Sequence, residues 1–291
     1  MSSKLILGTV QLGLNYGVNN NFGKPSKEKA FDILNLAYDK GIRTLDTAEA
    51  YGNSQEVIGS FLSDNSKKRF NIITKLNADN TLAKGELLDH IFSNCKTLNT
   101  ESLEGYMFHN YNSFKKSVFL YEEILNAKNK GIILNAGISL YNNQEIEDII
   151  DNYDGFDFIQ IPFNLFDNEL KRKSTIEKAR LKGIEVHTRS CFLQGLLFKR
   201  IKDLKGILKQ SEPYLKQINS IAKETGFQVG NLALSYCLSK PYIDKVLIGV
   251  DSLEQLEKNI NWSQNAIDNT ILKKIDNICV IENKILNPSL W

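Results

Sequence analysis

The sequence predicts an α/β chain closed into a single (β/α)8 TIM barrel, with extra helices after the seventh strand and at the C-terminus. Three observations carry this expectation. Short β-branched runs alternate with longer amphipathic stretches along all 291 residues, the pattern of strands covered by helices. No GxGxxG follows the first strand, which disfavours an open dinucleotide-binding sheet. No linker or low-complexity segment interrupts the alternation, so one barrel domain over residues 1–291 is expected.

The elements follow in order. Leu5–Thr9 reads as the first strand, and a loop rich in Gly, Asn and Tyr runs on to Pro25. Ser26 can cap a helix that carries Ala30, Ile33, Leu34 and Ala37 at helical spacing. Gly41 stops that helix, and Arg43–Leu45 is a strand ending on Asp46. The unit then repeats, with helices near 54–62, 83–98 and 117–130 between strands at 70–74, 104–108 and 134–137. Helices at 143–150 and 168–182 flank strands at 158–161 and 184–188. A longer connection reaches about residue 210, helices at 211–225 and 229–238 follow, and the last strand is 245–248. Helices at 253–259 and about 265–282 precede the tail.

Composition excludes several classes of function. The net charge of +2, with no basic block, argues against a nucleic-acid or membrane-surface partner. Cys95, Cys191, Cys237 and Cys279 form no CxxC pair, and His90, His109 and His187 have no metal-ligand spacing. No metal is expected, and reduced thiols in a cytoplasmic protein are the simplest reading. The apolar stretch near the N-terminus is too short for a secretion signal. The expected molecule is a monomer or small homo-oligomer.

In a barrel of this kind, functional groups sit just past the C-terminal ends of the strands, on one face. Polar residues fall at those positions here. Asp46 ends the second strand, Lys75 the third and His109 the fourth; Ser139 follows the fifth, Gln160 ends the sixth, and Arg189 and Ser190 follow the seventh. Tyr51 lies five residues beyond Asp46, over the same face. His90 and His187 read as ordinary core or surface histidines.

The segment GIRTLDTAEAYGNSQEVIG, Gly41 to Gly59, resembles the DTAxxYG signature of the aldo-keto reductase family. IITK ending at Lys75, MFH ending at His109, GIS ending at Ser139 and QIPFN from Gln160 fall in the same order as the family's motifs. RSCFLQGLL, from Arg189, and GVDSLEQLEKN, from Gly249, complete the set, so the resemblance covers essentially the whole chain. The sequence departs from the family at Gln55, where the family pattern has Glu, and at Leu140, where Asn is common.

The resemblance implies an oxidoreductase that transfers a hydride between NAD(P)H and an aldehyde or ketone. Hydride attack puts negative charge on the carbonyl oxygen, which must be stabilised and protonated. Tyr51 is then the acid; Lys75 is expected to lower its pKa, with Asp46 keeping Lys75 charged and a neutral His109 orienting the carbonyl. The resemblance assigns Ser139 and Gln160 to the nicotinamide carboxamide, with Asn164 as a neighbour. It assigns Arg189, Ser190, Leu193, Gly195 and Leu197 to the pyrophosphate path, and Gly249, Ser252, Gln255 and Asn259 to the adenosine end. NADP is the usual family cofactor. Asp251 stands where a cation would read the 2′-phosphate, so NAD is the alternative.

Tyr16, Asn110, Tyr111 and Phe163 are expected to border a small carbonyl substrate, a sugar or sugar-derived compound among them. Trp291, at the apolar C-terminus, is expected as a wall of the same pocket. Two other functions remain open from sequence: a slow-turnover NADP-binding regulatory subunit, and a Schiff-base aldolase built on Lys75.

Overall fold

The computed structural model describes residues 4–20 and 23–291. The first three residues, part of the segment read as too short for a secretion signal, lie outside it. Eight parallel strands close into a barrel: β1 Leu5–Gly8, β2 Thr44–Asp46, β3 Asn71–Leu76, β4 Leu103–Phe108, β5 Ile133–Ser139, β6 Phe158–Pro162, β7 Glu185–Arg189 and β8 Lys245–Gly249. The last strand pairs back onto the first, with Gly8 opposite both Asp46 and Gly249, so no edge is left open. Ile6, Ile73, Met107, Phe158 and Leu247 form their own cluster, separate from the larger core, as expected for a barrel whose interior is filled by side chains.

Helices cover the outside for local reasons that the sequence states. In α2 (Lys27–Asp39), Ser26 accepts from the Lys29 N–H, and Ala30, Ile33, Leu34 and Ala37 form the buried stripe. α7 (Asn143–Asn152) starts in a full capping box between Asn142 and Glu145. The remaining covers are α3 (Ser54–Asp64), α4 (Leu87–Thr97), α6 (Tyr121–Asn129), α8 (Glu169–Leu181), α9 (Glu212–Thr225), α10 (Val229–Ser239) and α11 (Leu253–Ser263).

Some boundaries differ from the expectation. A short helix, α1 (Val10–Gly13), opens the loop after β1. The helix expected over 117–130 becomes a 3₁₀ turn (Val118–Leu120) and α6, and an unexpected short helix, α5 (Tyr111–Lys116), precedes it. The last helix, α12, spans only Asn269–Asp276, because Asp268 caps its start and the chain leaves helical geometry after Asn277. The connection after β7 winds through three 3₁₀ turns before α9. No helix among the described residues is long and apolar enough to cross a membrane.

Candidate active site

Barrel closure brings Asp46, Lys75 and Gln160 together from β2, β3 and β6. Asp46 and Lys75 are each 1% exposed. An unpaired charge at such depth would cost several kcal/mol, so each needs its partners. The Lys75 ammonium pairs with Asp46 Oδ1 and also donates to the Thr47 carbonyl at 2.9 Å. Gln160 Nε2 donates to Asp46 Oδ2 at 2.8 Å. Burial lowers the Lys75 pKa, and Asp46 works against that shift.

Tyr51 enters from the loop after β2. That loop lies so close to α1 that a Cβ at Gly13 would sit 1.8 Å from the Tyr51 carbonyl oxygen, so no larger residue fits there. The Lys75 Nζ is 5.1 Å from the centre of the Tyr51 ring, and the His109 ring stands edge-on to it at 5.7 Å and 78°. The Tyr51 phenol is pushed well above its ordinary value, first by burial and then by the Asp46 carboxylate, with Arg189 opposing. The shift runs opposite to the expectation that Lys75 would lower it: enclosure by protein strips hydration from the phenolate, and the Asp46 carboxylate disfavours it further. The His109 pKa falls to about 4, through burial first and then Lys75 and Arg189, so its imidazole is neutral at pH 7. Its Nδ1 is buried without a hydrogen-bond partner among the described residues.

A cavity of about 920 Å³ opens over these groups and runs continuously to the loop after β8, at the upper end of small-molecule sites, which span roughly 300–1,000 Å³. Asp46, Tyr51, Lys75, His109, Ser139, Gln160, Arg189, Ser190, Gly195, Gly249, Gln255 and Asn259 all line it, as do Tyr16, Tyr111 and Asn110. Leu193, Ser252, Phe163 and Trp291 do not. Leu193 is buried in the core, and Ser252 caps α11 by accepting from the Gln255 N–H. The Phe163 ring stacks on Tyr236 at 5.5 Å, away from the cavity. Trp291 folds back so that its indole N–H donates to the Lys284 carbonyl at 3.3 Å. Leu197 is also in the core, and Asn164 shapes the loop after β6 by accepting from the Phe166 and Asp167 N–H groups.

Sequence reasoning missed Gln11, Tyr141 and Gln194, which line the cavity. Gln11 Oε1 is buried with no partner among the described residues, and a Cβ at Gly249 would lie 2.5 Å from the Gln11 amide nitrogen. Gln11 follows the first strand just as Asp46 ends the second, so the strand-end rule could have found it. Gln194 donates to the Tyr16 hydroxyl at 2.6 Å and tethers the loop after β1 to the loop after β7. That second loop holds Ser190, Leu193 and Gln194 at positive φ, strained for residues with a Cβ.

A second polar cluster fastens the Tyr51 loop. Glu49 Oε1 accepts from Tyr106 at 2.8 Å and Asn94 at 2.9 Å and pairs with His90 Nε2 at 2.9 Å, while Oε2 accepts from the Asn77 N–H at 2.8 Å. Gln55 continues this network to Thr74 and Asn94, so the amide does structural work where the family pattern has a carboxylate. Burial raises the Glu49 pKa, but the His90 hydrogen bond and charge, together with the Asn77 and Tyr106 hydrogen bonds, outweigh it and the net shift is downward. The Glu49 hydrogen bond raises the His90 pKa against the opposing effect of burial.

The His90 contribution to stability is complete below its ordinary value of 6.5 and fades as pH rises through the raised value. The Glu49 contribution is complete above 4.5 and fades as pH falls through the lowered value. The Tm difference between wild type and His90→Gln should therefore be largest between pH 4.5 and 6.5. Thermal melts across pH check this, and a difference independent of pH would refute the ion pair.

The sequence pattern of the aldo/keto reductase family matches residues 4–279. The chain is 24% identical to the uncharacterized oxidoreductase YrpG of Bacillus subtilis (strain 168), over 95% of this chain and 92% of that protein. It is 24% identical to the aldo-keto reductase YhdN of the same organism, over 99% and 92%. The fold superposes on the holo form of aldo-keto reductase AKR11C1 from Bacillus halodurans with a TM-score of 0.77, at 19% identity over 95% of this chain and 92% of that one. The chain belongs to the aldo/keto reductase family and is an NAD(P)H-dependent oxidoreductase.

Proposed function

We propose that this protein reduces a small polar aldehyde or ketone with NADH, using Tyr51 as the proton donor. The observation that carries the reading is the convergence of Asp46, Tyr51, Lys75 and His109 at one end of a single long cavity. The cofactor, when bound, supplies the hydride; the protein supplies position, charge and a proton. The raised Tyr51 pKa keeps the proton on the phenol until the carbonyl oxygen gains charge. The nascent alkoxide is the stronger base, so the proton then moves to it. Lys75 stabilises the tyrosinate left behind, and Asp46, itself held by Gln160, keeps Lys75 in place. Neutral His109 donates a hydrogen bond to the same oxygen and orients the carbonyl.

The lining of the cavity fits a dinucleotide. Gln11 Oε1 is an unused buried acceptor. Gln160 donates through Nε2 to Asp46, which leaves Oε1 to accept from the nicotinamide carboxamide beside Ser139. Ser190, Gly195, Gln255 and Asn259 also line the cavity; the first two would flank the pyrophosphate and the last two would hold the adenosine.

NADH is preferred over NADPH because Asp251 lines the adenosine end. Its carboxylate receives Asn20 and Gln255, both at 3.4 Å, and it suits a ribose hydroxyl but repels a phosphate. Lys258, the cation at that end, is paired with Glu254 at 2.7 Å. Rapid mixing of the protein with either cofactor and a panel of aldehydes and keto-sugars tests both points. Turnover with NADH is expected at a kcat/KM about tenfold or more above NADPH, a difference of about 1.4 kcal/mol. Asp251→Ser should narrow that ratio. Cofactor binding without turnover on any carbonyl would favour a regulatory subunit, and equal use of NADPH would refute the role given to Asp251.

A further inference from the structure

Arg189 ends β7 and lines the cavity at its catalytic end. The guanidinium carbon lies 4.1 Å from the centre of the Tyr141 ring, and one N–H donates to the Leu140 carbonyl at 3.2 Å. Among the described residues, no carboxylate lies within ion-pair distance of it. Arg172 and Arg180 differ, since Asp167 and Asp244 pair with them. The acidic groups nearby are already committed: Asp46 to Lys75 and Gln160, and Glu145 to the start of α7. The catalytic end therefore carries an uncompensated positive charge in a partly buried place, an expensive arrangement unless a ligand completes it.

The platform under that charge is built rigidly. Tyr141 donates its N–H to Glu145 at 2.6 Å, and its carbonyl accepts from Arg172 at 2.6 Å. Arg172 is itself locked by a two-bond grip on Asp167, at 2.7 and 2.6 Å. A stacked guanidinium keeps its planar edge free for an oxyanion and gives up little entropy on binding one. The charge is local to the reacting groups: Tyr51, His109, Lys75 and Tyr16 all feel it, whereas Asp251 at the far end does not.

We propose that Arg189 is the receptor for an oxyanion carried by the carbonyl substrate, so that the enzyme acts on acidic aldehydes or ketones rather than neutral ones. This rests on the carbonyl reduction proposed above and names its substrate class. It also takes Arg189 away from the cofactor pyrophosphate, the role that family resemblance implied. A carboxylate and a phosphate offer the same fork-shaped partner, and the substrates tested separate them.

The test compares matched pairs with NADH: succinic semialdehyde against butyraldehyde, and glyceraldehyde 3-phosphate against glyceraldehyde. Wild type should favour the anionic member of at least one pair by roughly 30-fold or more in kcat/KM, mostly through KM, and the favoured pair identifies the oxyanion. Arg189→Gln should bring that ratio to within about threefold of unity, and Arg189→Lys should retain part of it as a point charge without the fork. A purely structural role would lower both members equally and leave the ratio unchanged, which overturns the proposal. So does an unchanged ratio with lost NADH affinity, read by quenching of protein fluorescence.

A binding measurement needs no turnover. Calorimetry should show succinate or inorganic phosphate binding to the wild-type NAD⁺ complex, and succinamide not binding, with the anion lost from Arg189→Gln. Anion binding that depends on Arg189, in a protein that reduces none of the four carbonyls, would support the oxyanion site and refute carbonyl reduction. Anion binding that survives in Arg189→Gln would refute the site itself.

Discussion

Tyr51→Phe is expected to lower kcat by about 10²–10⁴-fold while NADH still binds. The substitution keeps the ring, and with it the edge-on contact to His109 and the placement over Lys75, so the loop should hold its shape. Only the hydroxyl is lost. With it goes the one group proposed to deliver a proton as the alkoxide forms, and neutral His109 cannot replace it because its pKa is near 4. Fluorescence titration with NADH and single-turnover mixing separate binding from chemistry. Wild-type turnover by this variant would remove Tyr51 from the mechanism.

The second large effect concerns the buried ion pair. Asp46→Leu should destabilise the fold by about 3–5 kcal/mol, because it strands the Lys75 ammonium at 1% exposure. Lys75 would then lose its proton, since burial already lowers its pKa and Asp46 is what opposes the shift. Adding Lys75→Met should recover part of the loss. About 1–3 kcal/mol would remain, because Gln160 Nε2 would keep no acceptor for the bond it now gives Asp46. Neither variant should turn over substrate. Urea unfolding with an activity assay checks this, and a single variant as stable as wild type would show that the pair carries no structural load.

The alternation of strand and helix was legible because a barrel strand must be apolar along its length, and its polar end residue then stands out. Asp46, Lys75, His109, Ser139 and Gln160 were all found by that contrast. The caps at Ser26 and Asn142 could likewise be read locally, from the groups a helix start leaves unpaired. Phe163 and Trp291 were misplaced because an aromatic side chain looks the same in a sequence whether it faces a cavity or a helix. Phe163 turns to Tyr236 and Trp291 to the 283–286 turn. Gln11 was missed because it sits in a short helix inside what reads as a loop.

By itself the sequence determined the barrel, the family and the residues that gather around Tyr51 at one end of the cavity, since period, punctuation and motif order are local properties of the chain. Only the tertiary structure decided what those residues do to one another. Closing the barrel brings Gln160 onto Asp46 across 114 positions and surrounds Tyr51 with enough protein to raise its pKa, not lower it. It also leaves Arg189 stacked on Tyr141 without a carboxylate, although surface arginines such as Arg200 find one nearby. Desolvation and the balance of charges depend on what surrounds a group in space, and that is set only when distant strands meet.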